Sequence, residues 1–291
     1  MRPSSLSPPP TRGGAAVRTV AWGLACAAAL AAAGLFNERL LDLRGDLELT
    51  QAPPTENMPP MVAFTTVALG GFRGILADIL WMRSGTLQEE GRYFELVQLS
   101  DWIAKLQPRS SAIWTYHAWN MAYNLSALMP TPEERWHWVR NGLSLLRDEG
   151  MVYNPGSARL HQELAWMFLH KLGTADDTAA PYYREQWKRE SLQANLRLNA
   201  DVMAQLSKEV APLDWSTPQA QAVYWAYTGL PFARTEFEDL ALRRILYQAL
   251  LQLVQQGQQE MIPHAIRAVE DTQRRHPNTA PLQGVLDRLQ E

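Results

Sequence analysis

The stretch EEGRYFELVQLSDWIAKLQPRSSAIWTYHAWNMAYNLS, residues 89–126, decides the fold. Its apolar residues return every three or four positions. Tyr93, Leu96, Val97, Ser100, Ile103 and Ala104 make one stripe, and Leu99, Trp102 and Leu106 make a second. That period is helical. A helix apolar on two sides packs between neighbours rather than on a surface, so Tyr93 and Trp102 are expected to be packing residues. Pro108 closes this helix, and a second apolar pattern begins after it. Beyond residue 61 the pattern is helical almost everywhere, and no run alternates with period two. The expected class is all-α.

The same stretch carries signs of a repeat. Gly91 marks a tight turn, and Tyr93 follows it. Trp114 and Ala118 follow Pro108, and Leu164, Ala165 and Phe168 follow Pro155 at a matching offset. Ala265 and Val269 precede Pro277. Small residues fall at equivalent places in three successive units: Ser84, Ala118 and Ala165. This frame resembles the tetratricopeptide repeat (TPR), with Trp114 in its Trp position. Leu96, Met121 and Val269 depart from its usual Ala, Tyr and Phe. The spacing from Pro108 to Pro155 is 47 residues, against about 34 in a regular repeat. The surplus is expected to loop out or to lengthen helices near ALMPTPEER, where Thr131-Pro132-Glu133-Glu134 reads as a cap and a helix start. LGTADDTAAP reads as a loop. A further helix should begin near Ser216-Thr217-Pro218, and EFEDLALRRILYQALLQLVQQG should form a long helix ending at Gly257. The resemblance implies an irregular TPR-like α-solenoid over residues 61–291. ALGGFRGILADILW, AWNMAYN and LLRDEG also resemble membrane-anchored bacterial proteins with TPR-like bodies.

The N-terminal region differs. Residues 1–18 hold Arg2, Arg12 and Arg18 and no acidic residue, and read as a disordered basic tail. Residues 19–37, TVAWGLACAAALAAAGLFN, carry no charge. A spanning helix needs about 20 apolar residues, so this run is expected to be a transmembrane signal anchor. A cleaved signal peptide is the competing reading, with Ala31-Ala32-Ala33 before Gly34 as the processing site. The basic residues ahead of the run place the N-terminus in the cytoplasm. The body would then face the periplasm of a bacterium, on a single-pass protein of the inner membrane. Residues 38–60 form a juxtamembrane segment and a linker, since QAPPTENMPP has four prolines in ten residues. The apolar segment 61–72 is too short to span and is expected as a buried helix.

Composition excludes several functions. The chain has 291 residues, 46% of them hydrophobic and 20% charged, with a net charge of −3. There is no basic stripe for nucleic acid. The lone cysteine, Cys26, rules out an internal disulfide. No H-E-x-x-H, phosphate-loop or G-x-S-x-G pattern occurs. Glu89-Glu90, Asp148-Glu149 and Asp176-Asp177 read as solvated charges at helix ends or loops. The expectation is therefore no catalytic residue, no metal and no cofactor.

Eleven tryptophans, ten of them after residue 80, need a role. Trp114 reads as packing. Trp119 and Trp166 each lie five residues beyond the Trp position of their own unit, which Trp114 and His161 occupy. The resemblance puts that helix face on a concave groove, with Tyr123 and His170 four residues further along. Trp119, Tyr123, Trp166 and His170 are thus the candidate partner-binding residues. The expected function is a membrane-anchored protein–protein interaction scaffold of the cell envelope. The alternatives are a structural subunit of a membrane complex, or an envelope enzyme.

Overall fold

The computed structural model of the chain describes residues 18, 20–26, 28–29, 31–34, 36, 39, 72–174, 176–193, 198–278 and 284–285. It divides into two units, Met1–Gly71 and Phe72–Glu291. In the first, the described residues between Arg18 and Arg39 are helical, with Val20, Trp22, Leu24 and Phe36 exposed. Among the described residues no helix is long and apolar enough to cross a membrane. The expected span at 19–37 includes residues 19, 27, 30, 35 and 37, which lie outside the described residues. So do the tail 1–17, the linker at 40–60 and the expected buried helix at 61–71.

The second unit is all-α among its described residues. α1 (Phe72–Glu89) and α2 (Tyr93–Leu106) are joined through Gly91, whose φ of +69° favours glycine. α3 starts as Ser111–Trp119, widens into π-helical turns over Asn120–Leu125 and ends with Ser126–Leu128. α4 runs Pro132–Ser144, then π-helical Leu145–Gly150, then Met151–Tyr153. α5 is Ala158–Trp166, followed by π-helical Met167–Leu172. α6 (Ala180–Gln193), α7 (Ala200–Glu209), α8 (Pro218–Gly229), α9 (Glu236–Gln255) and α10 (Ile262–Arg275) complete the set.

Local chemistry starts several of these helices where the sequence signals them. Thr131 and Glu134 form a reciprocal capping box, with Pro132 in the first turn of α4. The Thr217 side chain accepts from Ala220 N at the start of α8. Gly257, just after α9, has a φ of +95°.

Helices adjacent in the chain pack on one another: α1 on α2, α2 on α3, α3 on α4, α8 on α9, and α9 on α10. α3 also meets α5, and α5 meets α8. The small residues permit close approach. Ser84 is buried, and Ala118 and Ala165 are fully so. A Cβ placed on Gly142 of α4 would lie 2.8 Å from the Ala118 carbonyl oxygen, so this crossing brings two backbones together. α8 is buried nearly all round, as a helix enclosed by α5 and α9 must be. Its two buried glutamines are satisfied: Gln219 donates to Gln252 Oε1, and Gln221 donates to Trp215 O.

Of the two ways to hold the surplus length between Pro108 and Pro155, the chain lengthens α3 and α4, leaving only residues 129–131 between them. One expectation needs correction. Trp102 is 51% exposed and does not pack inside. At about 100° per residue, it falls roughly 40° beyond Leu106, at the edge of the buried arc and beside exposed Glu95.

Candidate functional site

Four helical residues separated in the sequence form one strip. Trp119 stacks on Tyr123, with ring centroids 5.5 Å apart and planes at 21°. Trp166 stacks on His170 at 4.8 Å and 15°. Both pairs are four apart, the spacing that places helical side chains one above the other. The pairs meet where α3 packs on α5: the Tyr123 and His170 rings are 5.9 Å apart, and Tyr123 OH lies 3.4 Å from His170 Nδ1. Trp119 is 39% exposed and Trp166 37%. Tyr123 and His170 are partly buried between them. Thus all four candidate residues lie together in the order Trp119, Tyr123, His170, Trp166, each indole showing part of its face.

Trp114, five residues before Trp119, is buried, stacks on Tyr153 at 5.6 Å and donates to Pro108 O at 2.6 Å. His161, six residues after Pro155 as Trp114 is six after Pro108, is also buried. It packs 5.3 Å from Phe232 and approaches Ser157 O at 2.9 Å through Nδ1. The two kinds of position separate cleanly, one inward and one outward.

Charges beneath the strip escaped the sequence reading. Lys171 is buried, with Nζ 5.1 Å from the Tyr123 ring centroid and 2.7 Å from Asp177 Oδ2. Asp177 also accepts from Tyr183 OH and the Ala179 amide, and Arg135 lies 3.5 Å away. Burial pushes the Asp177 carboxyl up, but the bond from Lys171 and the other donors outweigh it and hold it below its ordinary value. Asp177 is therefore a half-buried hub, not a solvated loop charge. Its partners come from α4, α5 and α6, so no local pattern announces it. Asp176, by contrast, is exposed and lies 3.6 Å from His170 Nε2.

Glu163, three residues before Trp166, has a buried Oε1 with no partner among the described residues. Burial pushes its carboxyl up to about 6. Burial, then the Glu163 charge, raises the Tyr123 phenol, which stays protonated. The Glu163 shift has a stability consequence. Between the ordinary 4.5 and about 6, the folded chain holds a proton that the unfolded chain has lost. Stability therefore falls as pH rises through this window and is level above it. Glu163→Gln should be more stable than the parent by up to about 2 kcal/mol at pH 7.5 and equal at pH 4. Urea titrations at both pH values would check this.

Among the described residues no cluster of three or more His, Cys, Asp or Glu could hold a metal ion. The chain matches no protein-family model, no curated protein and no solved structure.

Proposed function

We propose that this chain is an interaction scaffold of the TPR-like kind, and that Trp119, Tyr123, His170 and Trp166 dock a segment of a partner protein. One observation carries the reading. Two successive units direct a half-exposed indole outward from the same frame position, and the rings join into one strip. Indole and phenol rings bury much area with few rotors, which suits them to binding hot spots. Lys171 is neutralised by Asp177 beneath the rings, so the strip favours an apolar or aromatic segment over a highly charged one. The packing of α1 on α2, α2 on α3 and α3 on both α4 and α5 supports an extended surface of the solenoid type.

The uncharged segment 19–37 and the arginines before it support the rest of the proposal: an anchor in a bacterial inner membrane, N-terminus in the cytoplasm and helical body in the periplasm. A second reading, a structural subunit of a membrane complex, is favoured by α1. Ile75, Ile79 and Met82 lie on one face there and are 58%, 51% and 69% exposed.

The test is in-cell crosslinking with a C-terminal tag, followed by recovery from detergent-solubilised membranes. A stoichiometric partner should be lost from Trp119→Ala and Trp166→Ala, each weakening binding about 30-fold, as for a hot spot of about 2 kcal/mol. A partner retained by both variants but lost from Ile79→Lys would replace the strip with the α1 face. Failure to recover any partner would overturn both readings.

A further inference from the structure

His117 lies two residues before Trp119, about 200° away round α3, and faces the side opposite the aromatic strip. There α2, α3 and α4 enclose a cleft of about 440 Å³. His117 is 1% exposed, and neither ring nitrogen has a hydrogen-bond partner among the described residues. A buried polar group in that state is costly, and native structures rarely leave one. Burial lowers its pKa to about 4, so near neutral pH the imidazole offers one acceptor and one donor nitrogen.

Three carboxylates line the same cleft: Asp101, Asp148 and Glu149. Lys105 bonds Asp101 at 2.7 Å, and Arg147 bonds Asp148 at 2.8 Å. Glu149 makes no ion pair with a described residue. Its carboxyl is pushed up by burial, then by the like charge of Asp101. The cleft is thus lined by a buried imidazole with both nitrogens unpartnered among the described residues and by an exposed carboxylate in unfavourable company. Val97 and Met121 add apolar wall.

We propose that this cleft receives a small organic cation bearing N–H donors, a guanidinium or primary ammonium on a short carbon chain. Glu149 pairs with its charge, His117 accepts a hydrogen bond from it, and Val97 and Met121 cover its methylenes. A metal ion is a poorer fit, since these side chains form no cluster able to ligate one. Several N–H donors can satisfy both the imidazole and the carboxylates at once. The proposal does not depend on what the aromatic strip binds.

Titration calorimetry on the full chain in detergent tests it, with agmatine as the cation and N-butylurea as its neutral counterpart. Agmatine should bind saturably, with the side-chain resonances of His117 shifting in step. The urea, and agmatine on Glu149→Gln, should bind about tenfold more weakly or less, as loss of a charge-assisted bond requires. Trp119→Ala should bind as the parent does. Glu149 is exposed, so its substitution leaves the fold intact and the result interpretable. A capped arginine peptide matching agmatine would make the ligand a basic side chain; agmatine alone binding would make it a free molecule. No saturable binding, equal affinity for the urea, or no effect of Glu149→Gln would overturn the proposal.

Discussion

Trp114→Ala is expected to lower the unfolding free energy by about 4 kcal/mol, the usual loss for an aromatic ring removed from a packed core. The ring is 3% exposed. It stacks on Tyr153, and Gly150 lets α4 approach so closely that a Cβ there would sit 3.3 Å from the Trp114 side chain. Its indole donates to Pro108 O, which also accepts from Asn154 at 2.8 Å. One side chain therefore ties the turn before α3 to the end of α4. Trp114→Phe keeps most of the volume and removes the donor, so its loss should be about 1–2 kcal/mol. Trp102→Ala, at an exposed position, should stay within about 0.5 kcal/mol of the parent. Denaturant titrations followed by far-ultraviolet circular dichroism would rank the three. Equal losses at Trp114 and Trp102 would contradict the packing described for both.

The second large effect is a pH dependence set by His117. In the folded chain this imidazole stays neutral down to about 4; unfolded, it gains a proton near its ordinary 6.5. Below 6.5 the unfolded state therefore binds more protons, and stability falls as pH drops towards 4. The full contribution is about 3 kcal/mol. Asp101 opposes the shift and Lys105 assists it, both less than burial does. Glu163 acts in the opposite sense between 4.5 and about 6, so the parent would show a flattened profile. The comparison belongs in the Glu163→Gln background. There, stability should decline between pH 6.5 and 4, and adding His117→Gln should remove that decline whatever it does at pH 7. A decline that survives His117→Gln would assign the titration to another group.

Much of the helical framework was legible in the residues. Thr131 with Glu134, Thr217 with Pro218, and the glycines at 91 and 257 act within a few positions of themselves. Periodicity of three and four identified α2 and α9. The small residue Ala118 marked a close crossing and Ser84 and Ala165 marked buried positions, and the spacing after Trp114 and His161 singled out Trp119 and Trp166. Those readings rest on interactions between i and i+4, which the chain order itself specifies.

The tertiary structure decided what depends on distant partners. Trp102 has an apolar neighbourhood in sequence but lies past the edge of the arc its neighbours cover. Asp177 looked like a loop charge and became a hub because Lys171, Tyr183 and Arg135 converge on it. The π-helical turns of α3, α4 and α5 change the helical phase midway, so a constant 100° step misplaces the side chains after them. His117 lines a cleft whose carboxylates come from α2 and α4, a meeting that no local pattern in the sequence signals. By itself the sequence determined where helices start, stop and turn, and which small residues allow contact. Only packing determined which faces are covered and which charges meet, because burial and electrostatics act through space between residues the chain keeps far apart.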